Sequence, residues 1–466
     1  MTDDDRSHPV DTGHRDKDRV NPEGNYGGRS QLSACAVDDM SGEQGLWEAV
    51  FSRQNLFAAL ERVETNRGAP GVDGLTTQEL RSWLVTHWVD VRSRLDAGTY
   101  KPMPVRQVPI PKPNGGQRLL GVPTVVDRLI QQALAQVLTP VFDPGFVPVS
   151  YGFRPGKSAH MAVKVARTLV NQGFVWVVEV DLEKFFDRVN HDKLMARVAR
   201  KVDDKRVLKL IRAYLTAGIM IDGVVSRSGD GTPQGSPLSP LLSNIMLDDF
   251  DQELWAKGTR FVRYADDIRI FVKSKRAAGR ALDQASKVLE GTLKLKVNRG
   301  KSTISHAMKA QLLGYAFYPS REGYKLRVAG SAIARLKQRL RELTSRRWSV
   351  DMDYRIDRIN RYVRGWMGYF QLAATPGVFK RLDEWLRRRM RQILWKQWKT
   401  PQARRRNLRR LGLSEYQIGK ATLSARSYWA IAKTPTLHKA LGTAYWVDRG
   451  LVMLFTAWDR RQIAVV

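Results

Sequence analysis

The sequence has a single cysteine, Cys35, among 466 residues. A disulfide framework and a cysteine-rich zinc site are therefore both excluded. No apolar run approaches the roughly 18 residues that a membrane span needs, and the first residues, MTDDDRSH, lack the apolar core of a signal peptide. These absences predict a cytoplasmic protein without a membrane partner.

Acidic residues are also scarce. The chain has 46 Asp and Glu against 78 Lys and Arg, a formal net charge of +32. Such an excess repels itself unless a polyanion compensates it. Nucleic acid is therefore the expected partner, and a basic surface with no specific partner is the alternative. The hydrophobic content of 43% is that of a folded chain rather than a disordered one.

The charge is distributed unevenly along the chain. Residues 1–46 contain ten acids and five bases, which predicts a disordered leader, with the first helix beginning near Leu46. Residues 331–466 contain 30 Lys and Arg and 9 Asp and Glu, a net charge of +21. Apolar residues there recur at helical spacing and predict three amphipathic helices with basic outer faces, the third separated from the second at Pro376-Gly377.

The stretch RFVRYADDIRIFVK, residues 260–273, places Asp266 and Asp267 between two β-like runs. Strands at 261–264 and 268–272 predict a hairpin with both acids at its tip, although acids that only cap a turn are common. A second apolar strand, VVEVD, ends in Asp181. If the two elements lie side by side, three carboxylates converge. Their repulsion calls for cations, and hard oxygen ligands suit Mg²⁺.

The YADD segment, residues 264–267, is one of several that resemble, in order, the motif series of group II intron-encoded reverse transcriptases. The others are NRGAPGVDG (66–74), PVRQVPIPKPNGGQRLLGVPTVVDRLIQQAL (104–134), SYGFRPGKSAH (150–160), DLEKFFDRVNHDKL (181–194), GTPQGSPLSPLLSNIMLDDFD (231–251), LKLKVNRGKS (293–302) and LLGY (312–315). INRYVRGWMGYFQLA (359–373) resembles the maturase domain that follows. An ordered series is far more specific than a single motif.

The resemblance implies an α+β fold, the right-hand polymerase. Residues 1–46 are expected to be a leader, 47–330 the fingers and a palm with an antiparallel sheet, 331–400 the helical thumb or maturase domain X, and 401–466 a basic, helical DNA-binding region. The cysteine pairs of an H-N-H endonuclease are absent from this sequence, so it resembles the compact bacterial class C type.

The resemblance also implies site residues. Asp181, Asp266 and Asp267 would be the catalytic carboxylates and would hold two Mg²⁺ ions, for which Mn²⁺ could substitute. The other implied residues are nucleotide-binding Lys112, Arg118, Phe186, Gln234 and Lys301, the primer grip Leu313, Gly314 and Tyr315, and nucleic-acid-binding Arg154, Arg364, Arg387, Arg388, Arg404 and Arg405. The alternatives are solvated charge for Lys112 and Arg118, core packing for Phe186 and a surface turn for Lys301.

The implied function is RNA-directed DNA polymerisation. The enzyme would extend a DNA primer on an RNA template with dNTP substrates, and would bind its parent group II intron RNA for splicing and for mobility into target DNA. It would then be associated with the nucleoid while acting on DNA. One alternative is a domesticated relative in defence, DNA repair or CRISPR spacer acquisition. Another is an inactive RNA-binding splicing factor, against which the three intact aspartates argue.

Overall fold

The computed structural model describes residues 45–111, 117–221, 224–226, 235–424 and 426–463. The predicted leader, residues 1–46, lies outside these ranges apart from its last two residues. The first helix begins at Leu46, as the apolar periodicity predicts, and the chain from Leu46 onward belongs to one unit.

The first two-thirds of that unit alternate helices and strands. In order, these are α1 (Leu46–Val50), α2 (Arg53–Asn66), α3 (Leu80–Asp96), β1 (Val105–Pro111), β2 (Gln117–Val122), α4 (Val125–Phe142), α5 (Ala159–Asn171), β3 (Trp176–Val180), α6 (His191–Val198), α7 (Lys205–Thr216), β4 (Ile219–Ile221), β5 (Val224–Ser226), α8 (Ser239–Ala256), β6 (Arg260–Tyr264), β7 (Asp267–Val272), α9 (Lys275–Lys287) and β8 (Thr303–His306). One sheet has the order β2-β1-β4-β5 and another has the order β6-β7-β3-β8.

The second sheet, which we call the palm sheet, is antiparallel and buried on both faces. Val178 lies opposite Ile270, and both belong to the core that includes α9. The adjacent pair, Val177 and Phe271, belongs to the core that includes α5 and the C-terminal helices. Because successive side chains point to opposite faces, two covered faces explain why β3 and β7 place apolar side chains on both sides of the sheet.

The rest of the chain is a small sheet followed by helices. Its elements are β9 (Gln311–Leu312), β10 (Tyr315–Ser320), β11 (Gly323–Val328), α10 (Gly330–Leu343), α11 (Met352–Tyr369), α12 (Pro376–Gln397), α13 (Pro401–Arg410), α14 (Glu415–Thr422), α15 (Tyr428–Ile431), α16 (Pro435–Ala440), α17 (Thr443–Asp448) and α18 (Leu454–Ile463). The three predicted amphipathic helices are α10, α11 and α12. Pro376 is the first residue of α12, where its missing N–H is not needed.

Helix α12 organises the C-terminal helices. Asp383 on α12 accepts hydrogen bonds from the backbone N–H groups of Leu454 (2.7 Å) and Phe455 (2.9 Å), and so caps the start of α18. Residues on both sides of position 401 share one apolar core. The α+β architecture with an antiparallel palm sheet confirms the predicted fold class. None of the helices in the described ranges is long and apolar enough to cross a membrane.

Candidate active site

The turn that carries the paired acids joins β6 to β7. Tyr264 pairs with Asp267 across the hairpin, so Ala265 and Asp266 form a two-residue turn. Ala265 has a left-handed backbone, with φ of 56°, as short hairpin turns often require. The predicted hairpin is confirmed. Asp266 lies at its tip and is exposed, whereas Asp267 is the first residue of β7 and is half-buried.

Gly152 approaches this turn more closely than any side chain would permit. A Cβ at this position would lie 2.2 Å from the backbone nitrogen of Ala265. The loop that carries Gly152 runs along the edge of β6. The N–H of Arg263 donates to the carbonyl of Val149 (3.0 Å), and the N–H of Tyr151 donates to the carbonyl of Arg263 (2.9 Å). Only glycine fits at position 152, and its loop helps to fix the position of the turn.

Arg263 holds the turn through a buried hydrogen-bond network. Its Nε lies 2.8 Å from both carboxylate oxygens of Asp251, and its Nη1 donates to the side-chain oxygen of Asn244 and the carbonyl of Ala265, both at 2.9 Å. The side chains of Arg263 and Asp251 are fully buried. Asn244 also donates to the carbonyl of Gly152 (2.9 Å). These residues all lie within the motifs quoted above, but their contacts join separate motifs and no local pattern in the sequence predicts them.

Asp181 directly follows β3 and is half-buried. Its backbone N–H donates to the hydroxyl oxygen of Ser302 (3.1 Å), and its carbonyl accepts from the N–H of Asn298 (2.8 Å). The turn at residues 298–302 therefore holds the backbone of Asp181 from both sides. Lys301 belongs to this turn and is exposed, and its nucleotide-binding role stays a prediction. The contribution of Ser302 was not predicted, because it arises from a contact across 121 residues.

The acids of the site influence one another. The pKa of Asp267 is raised to about 6. Burial is the largest cause, the charges of Glu179, Asp266 and Asp181 add to it, and the charge of Arg269 opposes it. Arg269 lies 2.7 Å from a carboxylate oxygen of Glu179 and also forms an ion pair with Asp267. Glu179 thus shares a counter-ion with Asp267.

The donor chemistry of these acids fits a divalent cation. Carboxylate oxygens are the hard ligands that Mg²⁺ prefers, and a cation would relieve the repulsion that contributes to the raised pKa of Asp267. Across the described ranges, no three acidic, histidine or cysteine side chains stand close enough together to form a ready metal site.

Two adjacent phenylalanines differ in burial. Phe185 is only 3% exposed, whereas Phe186 is half-buried, and their rings meet edge to face with centroids 5.1 Å apart. Phe185 is therefore the member of the pair that the core encloses. Phe186 remains partly open to solvent, and its role as a gate against the ribose 2′-hydroxyl stays a prediction.

The predicted nucleotide-binding residues are only partly covered. Lys112 and Gln234 lie outside the described residues, as does the side chain of Arg118, whose backbone pairs with Ile110 in the β1–β2 hairpin. Ser236 is 8% exposed and donates a hydrogen bond to the side-chain oxygen of Gln131 on α4. This hydroxyl ties the segment before α8 to α4.

The predicted primer grip is fixed to α11. Leu313 and Gly314 both have positive φ, 50° and 78°. A Cβ at Gly314 would lie 3.1 Å from the ring of Phe370. The hydroxyl of Tyr369 donates to the carbonyl of Leu313 (2.9 Å), and the hydroxyl of Tyr315 donates to the carbonyl of Tyr369. The positive φ and the nearby ring of Phe370 explain why position 314 is a glycine. Binding of the primer by these residues stays a prediction.

The six arginines predicted to bind nucleic acid differ in exposure. Arg364 and Arg405 are exposed. The others contact the protein: Arg154 pairs with Asp143 (2.7 Å) and its side chain is 5% exposed, Arg387 lies near the sulfur of Met453, Arg388 lies 3.8 Å from the ring centre of Trp429, and Arg404 lies 4.7 Å from that of Trp395. Their nucleic-acid contacts stay predictions, with the exposed pair best placed to make them.

Comparisons with known proteins identify the family of the chain. The family profile "Reverse transcriptase (RNA-dependent DNA polymerase)" matches residues 110–317, and "Group II intron, maturase-specific domain" matches residues 333–412. Protein YkfC of Escherichia coli is 34% identical over 366 residues, which are 69% of this chain and 96% of that protein. The chain belongs to the group II intron-type reverse transcriptases.

This reverse transcriptase also resembles the "Group II intron-encoded protein LtrA" of Lactococcus lactis, with 34% identity over 215 residues that cover 44% of this chain and 34% of that protein. The chain thus spans nearly all of the E. coli relative but about a third of the lactococcal one. A solved chain of a "Partial Cas6-RT-Cas1--Cas2 complex" is 28% identical, with a TM-score of 0.36, over 54% of this chain and 43% of that one. The predicted family and enzyme class, an RNA-directed DNA polymerase, are confirmed.

Proposed function

We propose that this reverse transcriptase extends a primer 3′-OH on an RNA template and binds its parent group II intron RNA as a maturase. In each addition the primer oxygen attacks the α-phosphorus of a dNTP, and pyrophosphate leaves. The observation that carries the proposal is that Asp181, Asp266 and Asp267 lie at the same end of neighbouring strands of the palm sheet, in a chain with a net charge of +32.

Asp181 and Asp266 would hold two Mg²⁺ ions, with Asp267 beside them. When bound, two such ions stabilise charge on both the attacking and the leaving oxygen of a phosphoryl transfer. The protein's own contribution is to position the ligands. Ser302 fixes the backbone of Asp181, and Arg263 fixes the turn that presents Asp266.

Arg269 supplies the site with an internal counter-charge. It pairs with both Glu179 and Asp267, so one positive charge partly compensates two of the four acids within the protein. Asp181 and Asp266 would hold the ions, with Asp267, which pairs with Arg269, beside them. This arrangement limits the repulsion that four adjacent carboxylates would otherwise create.

The maturase role is supported by the maturase-specific profile over residues 333–412 and by the net charge of +21 in the last third of the chain. A-form RNA hides most base edges in a deep groove and presents phosphates and 2′-hydroxyls. Exposed arginines such as Arg364 and Arg405 suit that kind of contact. Binding of intron RNA would therefore depend strongly on salt.

The test of the polymerase assignment is primer extension on an RNA template with dNTPs and Mg²⁺. Asp266→Asn removes a ligand charge at an exposed turn residue and should lower the extension rate by roughly 10²- to 10³-fold or more, the size of effect expected when one transition-state charge contact is lost. Affinity for the RNA template should not change. Asp90→Asn removes the same charge from an exposed position on α3 and is the matched control.

Extension by Asp266→Asn at the rate of the Asp90→Asn control would contradict the assignment. Failure of the wild-type protein to extend any RNA-templated primer, while it still binds RNA, would favour the splicing-factor alternative.

A further inference from the structure

We propose that this protein has a second nucleic-acid contact, a phosphate-binding pocket at the end of the palm hairpin opposite to the catalytic turn. The pocket lies where β6 begins and β7 ends, against the first half of α9, and has a volume of about 360 Å³. Since β7 rises about 3.3 Å per residue, the pocket lies roughly 17 Å from Asp267 along the strand. It is therefore separate from the carboxylate site.

Three cations line this pocket without a carboxylate partner. Arg260, Lys273 and Arg280 are all exposed, and none of them forms an ion pair with any residue that the structure describes. The described residues that line the pocket include no Asp or Glu. Lys273 lies 5.4 Å from the ring centre of Phe174, which holds its ammonium group at the pocket wall. Three uncompensated positive charges in one concavity favour an anionic ligand.

An unpaired amide group lies in the same place. The side-chain nitrogen of Gln284, which also lines the pocket, is buried and has no hydrogen-bond partner. Nearly all buried polar atoms in folded proteins have a partner. This nitrogen is itself enclosed, so it would pair with an acceptor from outside the chain only after the side chain turns into the pocket. A phosphate oxygen meets both requirements, because it carries negative charge and accepts hydrogen bonds.

The surroundings of the pocket favour a phosphodiester backbone over a small free anion. Positive charge continues from the pocket along the first turn of α9, where Lys275 and Arg276 are exposed and likewise form no ion pair within the described ranges. A row of cations matches the repeating phosphates of a nucleic-acid strand, whereas a nucleotide site is an enclosed cleft with a few convergent polar groups. The proposal rests on the proposed function only in taking RNA as the polyanion.

The test compares two double variants that remove equal charge. Lys273→Gln with Arg280→Gln alters the pocket, and Lys205→Gln with Lys209→Gln alters exposed lysines on α7. Affinity for a single-stranded oligouridylate is measured by fluorescence anisotropy at several salt concentrations. Loss of two phosphate contacts should reduce the slope of log K against log salt by about 1.4. The α7 variant should keep the wild-type slope, and both should extend a saturating template–primer at the wild-type rate.

Equal slopes for the two double variants would overturn the proposal. In that case sodium pyrophosphate shows what the pocket holds instead. If pyrophosphate raises the melting temperature of the wild-type protein but not that of the pocket variant, the pocket binds a small anion rather than RNA. If the double variant does not fold, Arg280→Gln alone should show about half the change in slope. The RNA slopes need no catalysis, so this result is independent of the primer-extension test.

Discussion

Buried arginines are used in different ways in the palm and in the C-terminal helices. In the palm, Arg263 is fully buried against the carboxylate of Asp251. In the C-terminal helices, Arg355 and Arg391 are 1% and 2% exposed. Arg355 donates to three backbone carbonyls between α10 and α11, and Arg391 donates to two carbonyls beside α15 and α16. Neither forms an ion pair with a carboxylate in the described part of the chain.

The two kinds of partner give the buried arginines different electrostatic roles. An arginine paired with a carboxylate contributes no net charge, so the palm pair can hold the catalytic turn without disturbing the field of the site. An arginine paired with carbonyls keeps its full charge and adds to the field that attracts a polyanion. Burial lowers the pKa of Arg391 to about 10, so the guanidinium still remains charged at neutral pH. The basic C-terminal third is therefore basic inside as well as outside.

Breaking the palm pair should have the largest effect on stability. Asp251→Asn removes the charge that compensates a fully buried guanidinium, and the loss of one partner of such a pair costs about 3–5 kcal/mol of the free energy of unfolding. Urea denaturation measures the change. Glu253→Gln on the same helix breaks an exposed pair with Lys257 and should cost less than about 1 kcal/mol. Equal losses in the free energy of unfolding for the two substitutions would show that the buried pair stabilises the fold no more than the exposed pair does.

Asp383 is a buried acid in the C-terminal helices, and backbone N–H groups at the start of α18 donate hydrogen bonds to its carboxylate. Burial raises its pKa to about 6, while the N–H groups of Phe455 and Leu454 and the charge of Arg387 oppose the rise. Between about pH 4 and pH 6 the native state therefore binds a proton more readily than the unfolded chain, and this group makes the protein more stable as the pH falls through that window.

Asp383→Asn should remove this contribution, at most about 3 kcal/mol between the ends of the window. The free energy of unfolding of the variant, measured across pH 4–6, should fall less steeply with rising pH than that of the wild type. Asp357→Asn, at an exposed position on α11, is the control. Parallel curves for the wild type and Asp383→Asn would contradict the assigned pKa direction.

Arg391→Met should have a smaller effect than Asp251→Asn, because it leaves neutral carbonyls rather than a charge without a partner. We expect a loss of about 1–3 kcal/mol in the free energy of unfolding, the usual cost of unsatisfied buried polar groups. Arg381→Met, at an exposed position on the same helix, should change it by less than about 0.5 kcal/mol. A loss for Arg391→Met as large as that for Asp251→Asn would remove the distinction between the two kinds of pairing.

The smallest expected effect concerns sugar selection beside the palm carboxylates. If the half-buried ring of Phe186 is the gate, Phe186→Ala should raise the use of ribonucleotides relative to deoxynucleotides by roughly tenfold, the size of effect that a small change of pocket shape produces. The ratio of kcat/KM for the two nucleotides measures it. An unchanged ratio in a folded variant would mean that Phe186 only packs beside Phe185.

Local patterns in the sequence predict the carboxylate hairpin and the helices of the thumb. The strands around Asp266 and the apolar spacing of α10 to α12 depend on residues that are neighbours in the chain. The supports of the site depend on distant residues. Gly152 meets Ala265 and Ser302 meets Asp181 only after the chain has folded, so no local pattern reveals these contacts.

The charge of a region does not predict which of its arginines are buried. Amphipathic periodicity places basic residues on outer faces, yet Arg355 and Arg391 are buried, because carbonyls at the ends of neighbouring helices offer them acceptors. Arg154 likewise pairs inside the protein with Asp143. The sequence states how many charges a region carries, and only the packing of helix ends and loops decides which of them face solvent.

The most direct test of the central claim is to count the divalent ions bound at the palm carboxylates. Mn²⁺ binding is titrated by electron paramagnetic resonance in the presence of an RNA template, a primer and an unreactive dNTP analogue. The wild type and the Asp90→Asn control should each bind about two ions. Asp181→Asn and Asp266→Asn should each bind fewer, although both variants still bind the template. Equal Mn²⁺ binding by all four proteins would contradict the account, since Asp181 and Asp266 would then not be the ligands.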